Sequence, residues 1–102
     1  PWLEHARQAL ATPKDHRPLR AIARSSGLHE DAFRRAFRRA TGETPAAFRR
    51  RHRLTLATDL LRRPDLSLAQ IAESLGFHDA FHFSKQFTAS TGNHLRFSAG
   101  NP

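Results

Sequence analysis

The strongest constraint on this chain is that it repeats itself. Residues 19–29, LRAIARSSGLH, align without a gap to residues 68–78, LAQIAESLGFH. Leu19, Ile22, Ala23, Ser25, Gly27 and His29 fall on Leu68, Ile71, Ala72, Ser74, Gly76 and His78. With one residue inserted in the second copy, Phe33, Phe37, Thr41 and Gly42 fall on Phe83, Phe87, Thr91 and Gly92. These are mostly the inward and turn positions of two helices joined by a tight turn. Ala23 and Ala72 permit close crossing, the glycines supply a left-handed backbone, and Leu28 or Phe77 plugs the angle between the helices. The chain is expected to hold two copies of one helix-turn-helix unit.

Apolar residues three and four apart recur through nearly the whole chain and no stretch alternates like a strand, which predicts an all-α fold. The expected helices span about 3–11, 19–25, 30–40, 45–62, 68–74 and 79–90. Pro18 and Pro45 suit first helical turns, where a missing N–H costs nothing, and Pro64 lies in the turn after the fourth helix. That fourth helix would be roughly 27 Å long at 1.5 Å per residue. It carries Leu54 and Leu61 toward one side and Leu56 and Leu60 toward another, which predicts contact from two directions. The expected organisation is a first helix-turn-helix subdomain over 1–44, a linker helix over 45–62 and a second subdomain over 63–102.

Charge is distributed unevenly between the copies. Seventeen basic residues, fifteen of them Arg, face nine acids, and residues 29–53 alone hold eight Arg against three acids. Residues 54–102 hold four of each and are neutral. A local field of this kind attracts a polyanion, and the planar guanidinium fork suits phosphates and guanine edges. Cysteine is absent, so neither a disulfide nor a thiolate-bound metal holds the fold. No run approaches eighteen apolar residues, the start PWLEHARQAL does not resemble a signal peptide, and the chain is expected to be cytoplasmic.

The second helix of each unit is the expected reading element, lying in the major groove of duplex DNA. In the first unit Arg34 and Arg35 are placed for bidentate contact with guanine, Asp31 either accepts from cytosine or steers a neighbouring Arg, and Arg38 and Arg39 meet phosphates. In the second unit the outer face is Ala80, Phe81, Ser84, Lys85 and Thr88, with Ala80 and Phe81 suited to thymine methyls and Thr88 to phosphate. His29 and His78 stand at the helix starts, where they cap weakly or meet phosphate. Phe33, Phe37, Phe83 and Phe87 are core. A connector of that length lets one chain fill two successive major grooves about 34 Å apart, on an asymmetric site. A helical protein-interaction or RNA-binding module is the competing reading.

Chemistry is not expected. His78 and His82 are four apart, but no Glu completes an HExxH pattern and no third ligand is evident. Ser25, Ser26 and Ser74 lack an accompanying acid and His, and neither a glycine-rich phosphate loop nor paired carboxylates appear. No cofactor or metal is expected, and the chain is not expected to be an enzyme.

Taken together, DLSLAQIAESLGFHDAFHFSKQF at 65–87 with Thr91 and Gly92, LRAIARSSGLHEDAFRRAFRRATGETPAAFR in the first half and RLTLATDLL at 53–61 resemble the DNA-binding domain of the AraC/XylS family of bacterial transcription regulators, over about residues 3–98. The resemblance implies up to seven helices in two homeodomain-like three-helical units. It places base-reading positions on Asp31, Arg34, Arg35, Ala80, Phe81, Ser84 and Lys85. It also implies an N-terminal effector-binding or dimerisation domain not contained here, contact with RNA polymerase in many members, and a C-terminal fragment that is monomeric alone. The tail departs from the pattern: the family's proline, aromatic and Arg match Leu95, Ser98 and Ala99, with Phe97 one residue out of register.

Overall fold

The computed structural model describes residues 1–92, and the periodic apolar pattern there becomes six α-helices: α1 (Trp2–Ala11), α2 (Leu19–Ser25), α3 (Glu30–Thr41), α4 (Pro45–Leu60), α5 (Leu68–Leu75) and α6 (Ala80–Thr91). The fold is all-α, with ends within two residues of those expected. The expected seventh helix and Phe97 lie outside the described residues. α4 stops at Leu60, short of Arg62, because Pro64 disfavours helical backbone at Arg63 and the chain turns through Arg63 N–H to Leu60 C=O, 3.1 Å. At its other end Pro45 is buried in the first turn and Thr44 Oγ1 accepts the Ala47 N–H at 3.1 Å, an N-terminal cap.

The chain divides into two compact units between His52 and Arg53, inside α4. In the first unit α1, α2, α3 and the start of α4 enclose Leu10, Ile22, Ala23, Phe33, Phe37 and Phe48. Its rings form a relay: Trp2 meets Phe33 edge-on at 6.1 Å, Phe33 lies 5.9 Å from Phe37, and Phe37 meets Phe48 edge-on at 5.2 Å. In the second unit Leu54 and Ala57 of α4 close a core of Ile71, Ala72, Leu75, Phe77, Phe83 and Phe87. Leu60 and Leu61 pack against that same core, whereas Leu56 is exposed. The expected contact of α4 from two directions holds for the helix, which gives Phe48 to the first core and Leu54 and Ala57 to the second, but not for its leucines: Leu54, Leu60 and the following Leu61 pack on one core, and Leu56 lies beyond that arc's edge.

The repeat survives in atomic detail. Gly27 and Gly76 follow α2 and α5 with φ of 80° and 87°, backbone that a residue with a Cβ adopts only under strain. The next residue then donates backward: Leu28 N–H to Ala23 C=O at 3.0 Å, and Phe77 N–H to Ala72 C=O at 2.9 Å. This bond, spanning five residues, turns the chain into the second helix and satisfies a helix-end carbonyl. Ser25 and Ser74 hydroxyls donate to Ile22 and Ile71 carbonyls at 2.8 and 3.0 Å, and Thr41 and Thr91 to Phe37 and Phe87 at 2.9 and 2.8 Å.

The loop between α1 and α2 is held by charge. Arg17 forks onto Asp15 through Nε at 2.9 Å and Nη2 at 2.7 Å, and Arg49 of α4 donates to the carbonyls of Arg17 and Asp15 at 2.8 and 3.3 Å. The Arg17 hydrogen bond is the main cause that lowers the Asp15 pKa from 3.8 to about 2. A carboxylate whose pKa is lower when folded stabilises the fold above its unfolded value and loses that contribution as pH falls through the folded one. Titration of the Asp15 carboxyl by NMR is expected to give a midpoint near 2, with the loop's stabilisation fading between about pH 4 and pH 2; a midpoint near 3.8 would contradict the clamp. In denaturant unfolding, Phe83→Ala should cost about 3–5 kcal/mol. Phe81→Ala, two residues away but 64% exposed, should stay within about 0.5 kcal/mol of wild type.

Candidate nucleic-acid interface

Burial of Phe33 and Phe37 fixes the rotation of α3, so the residues between them are turned outward. Asp31, Arg34, Arg35, Arg38 and Arg39 are all exposed on that side. The helix is charged along its length, with Glu30 and Asp31 in the first turn and Arg38 and Arg39 in the last, matching the macrodipole at both ends. Arg34 is engaged from two sides: Nη2 donates to Glu30 Oε2, and Nη1 donates to Asp31 Oδ1 at 3.3 Å. Of the two roles weighed for Asp31, the structure carries the contact with Arg34. Glu30 was missed in the sequence reading, although a Glu four residues before an Arg is the expected helical ion-pair spacing.

His29 precedes α3, is exposed and makes no side-chain capping bond. Beside it an open, shallow groove is lined by Arg20, Arg24, Gly27, Leu28, His29 and Glu30. Arg20 and Arg24 are exposed and one helical turn apart on α2, so they add two cations to the surface around the N-terminus of α3. The sequence reading overlooked them because they sit on the first helix of the unit.

α6 presents a different face. Phe81 is 64% exposed, and the Lys85 ammonium lies over its ring at 5.6 Å, a cation–π contact one turn along. Ala80 and Thr88 are half-buried. Ser84 corrects the expectation: it is 8% exposed, because it lies three residues before buried Phe87 and next to Phe83, on the flank turned toward the core. His78 is a second correction. The helix is capped not by His78 but by Asp79, whose Oδ1 accepts the His82 N–H at 2.7 Å while Oδ2 meets His78 Nδ1 at 3.1 Å. The His82 amide, followed by His78, holds the Asp79 carboxyl below the usual range. The extra residue of the second copy thus inserts a proper cap after the histidine.

Among the described residues no group of three His, Cys, Asp or Glu side chains is placed to hold a metal ion, and no helix is long and apolar enough to cross a membrane.

A family model described as a helix-turn-helix domain matches residues 22–96. The transcriptional activator RhaS of Escherichia fergusonii is 37% identical over 92 residues, covering 89% of this chain and 31% of that protein. The chain spans 20–31% of the length of such curated relatives. A transcriptional regulator from Chromobacterium violaceum, described as containing an AraC-type DNA-binding domain, superimposes with a TM-score of 0.77 at 25% identity, covering 92% of this chain and 85% of that one. The DNA-binding domain of AdpA, at 24% identity, shares the fold with a TM-score of 0.81 over 92% of this chain and 85% of its own. The duplicated helix pair, the paired phenylalanines of each second helix and these matches agree: the chain belongs to the AraC/XylS family of helix-turn-helix transcription regulators and corresponds to their C-terminal DNA-binding domain.

Proposed function

We propose that the chain binds specific duplex DNA by laying α3 and α6 into two successive major grooves, with α4 as the connector. The observation that carries this reading is the outward face of α3, where four guanidiniums stand on a helix whose opposite face is locked into the core by two buried phenylalanines. A recognition helix needs that combination, since base contacts require an exposed fork on a rigid support. Arg34 and Arg35 read guanine, with Asp31 beside them, and Arg38, Arg39 and His29 meet phosphates.

The second unit reads with less charge. Phe81 and Ala80 meet thymine methyls, Lys85 adds a cation over the Phe81 ring, and His78 and Thr88 lie toward the backbone of the duplex. Ser84 is left out of the proposed contact, because it is buried at 8% exposure. The two faces differ, so the preferred site is asymmetric, and a single chain occupies it as a monomer. In the intact regulator this domain acts beside an effector-binding or dimerisation domain and contacts RNA polymerase, a reading supported by relatives named as transcriptional activators.

Arg34→Ala and Arg35→Ala should each remove about 1–3 kcal/mol of discrimination between the preferred and a scrambled duplex. Arg39→Ala should weaken both duplexes alike and flatten the salt dependence by about one unit of slope. Fluorescence anisotropy titrations across a salt series measure both effects. Equal losses on both duplexes for Arg34→Ala and Arg35→Ala would refute base reading, and an unchanged slope for Arg39→Ala would refute its phosphate contact.

A further inference from the structure

We infer that Glu30 is a specificity-determining residue that acts by positioning Arg34; this rests on the proposed base reading by Arg34. Four arginines occupy the exposed side of α3, and of these four only Arg34 is paired with carboxylates among the described residues. Its Nη2 donates to Glu30 and its Nη1 to Asp31 at 3.3 Å. The two acids are not equivalent. The Glu30 side chain is 34% exposed and that of Asp31 is 82% exposed, so Glu30 holds the more sheltered of the two contacts. Arg34 itself remains 47% exposed, leaving part of its fork presented outward.

Two consequences follow from this arrangement. A guanidinium already fixed at one edge loses less rotamer freedom when it docks on a base, because five N–H groups let it keep the carboxylates and still offer a fork. The same carboxylates repel phosphates, so a duplex that offers Arg34 no matching acceptors brings negative charge close to Glu30 without compensation. Both effects favour the preferred sequence over others. Arg38 and Arg39 carry no such brake and attract any duplex, and Arg35 offers its fork without a carboxylate partner.

The test is a cycle of wild type, Glu30→Gln, Arg34→Ala and the double variant, titrated with the preferred duplex, a scrambled duplex and a set bearing single base-pair changes. Glu30→Gln should strengthen scrambled-duplex binding several-fold and reduce the preferred-to-scrambled ratio about tenfold, with the loss concentrated at the base pair where Arg34→Ala loses discrimination. In the Arg34→Ala background, Glu30→Gln should leave the ratio unchanged. Glu30→Asp, which keeps the charge but is one methylene shorter, separates reach from helix stability: positioning predicts a lowered ratio, and a wild-type ratio would overturn it. An undiminished ratio in Glu30→Gln, or a loss that persists without Arg34, would also overturn the inference while base reading stands. If Arg34→Ala leaves the ratio intact, the base-reading proposal itself fails and takes this inference with it. Thermal unfolding of each variant confirms that the comparison is made between folded proteins.

Discussion

One backbone hydrogen bond in each unit sets everything built on it. Where α2 and α5 end, the amide after the glycine returns to the alanine carbonyl five residues back, at 3.0 and 2.9 Å. That bond forms only because Gly27 and Gly76 take positive φ, and it directs the chain into the second helix at a fixed angle. The alanine that accepts it is fully buried in both units and shares its core with Phe33 or Phe83. The turn, the small residue and the ring form one device, and its two copies orient the outer faces of α3 and α6 within their own units.

The copies share a frame but not a surface. On α3 the outer face is a row of guanidiniums, one of them restrained by Glu30 and Asp31. On α6 it is an exposed phenylalanine under a lysine. A surface of the first kind gains long-range attraction and salt sensitivity, whereas one of the second kind gains mainly from contact and shape. The difference between the two faces therefore lies in substitutions at outer positions, which the duplicated core tolerates.

Much of the frame was legible in the sequence because glycine, proline and paired phenylalanines punctuate it. Helix ends were placed within two residues, and the four core phenylalanines of α3 and α6 were identified, since i and i+4 spacing leaves few alternatives, whereas the burial of Phe48 on α4 was not anticipated. What escaped reading was mostly a matter of rotation and neighbours. Ser84 sits on the edge between inner and outer faces, where a wheel drawn from sequence does not decide burial. His78 aligned with His29, and the inserted Asp79 took the capping role by offering a carboxylate to the His82 amide. The division of the core at His52 and Arg53 inside one continuous helix was also hidden, because helical periodicity runs through that point unbroken. The phosphate and base roles of the exposed residues belong to the contact with a partner, which sequence patterns only anticipate.

The central claim is that two unlike reading helices on one chain address one stretch of duplex. Selection of bound sequences from a random duplex pool tests it most directly. The account predicts two dissimilar conserved blocks whose centres lie about 10–10.5 base pairs apart, one helical turn, with guanine prominent in only one of them. A single conserved block, or a palindrome with two equal halves, would contradict it.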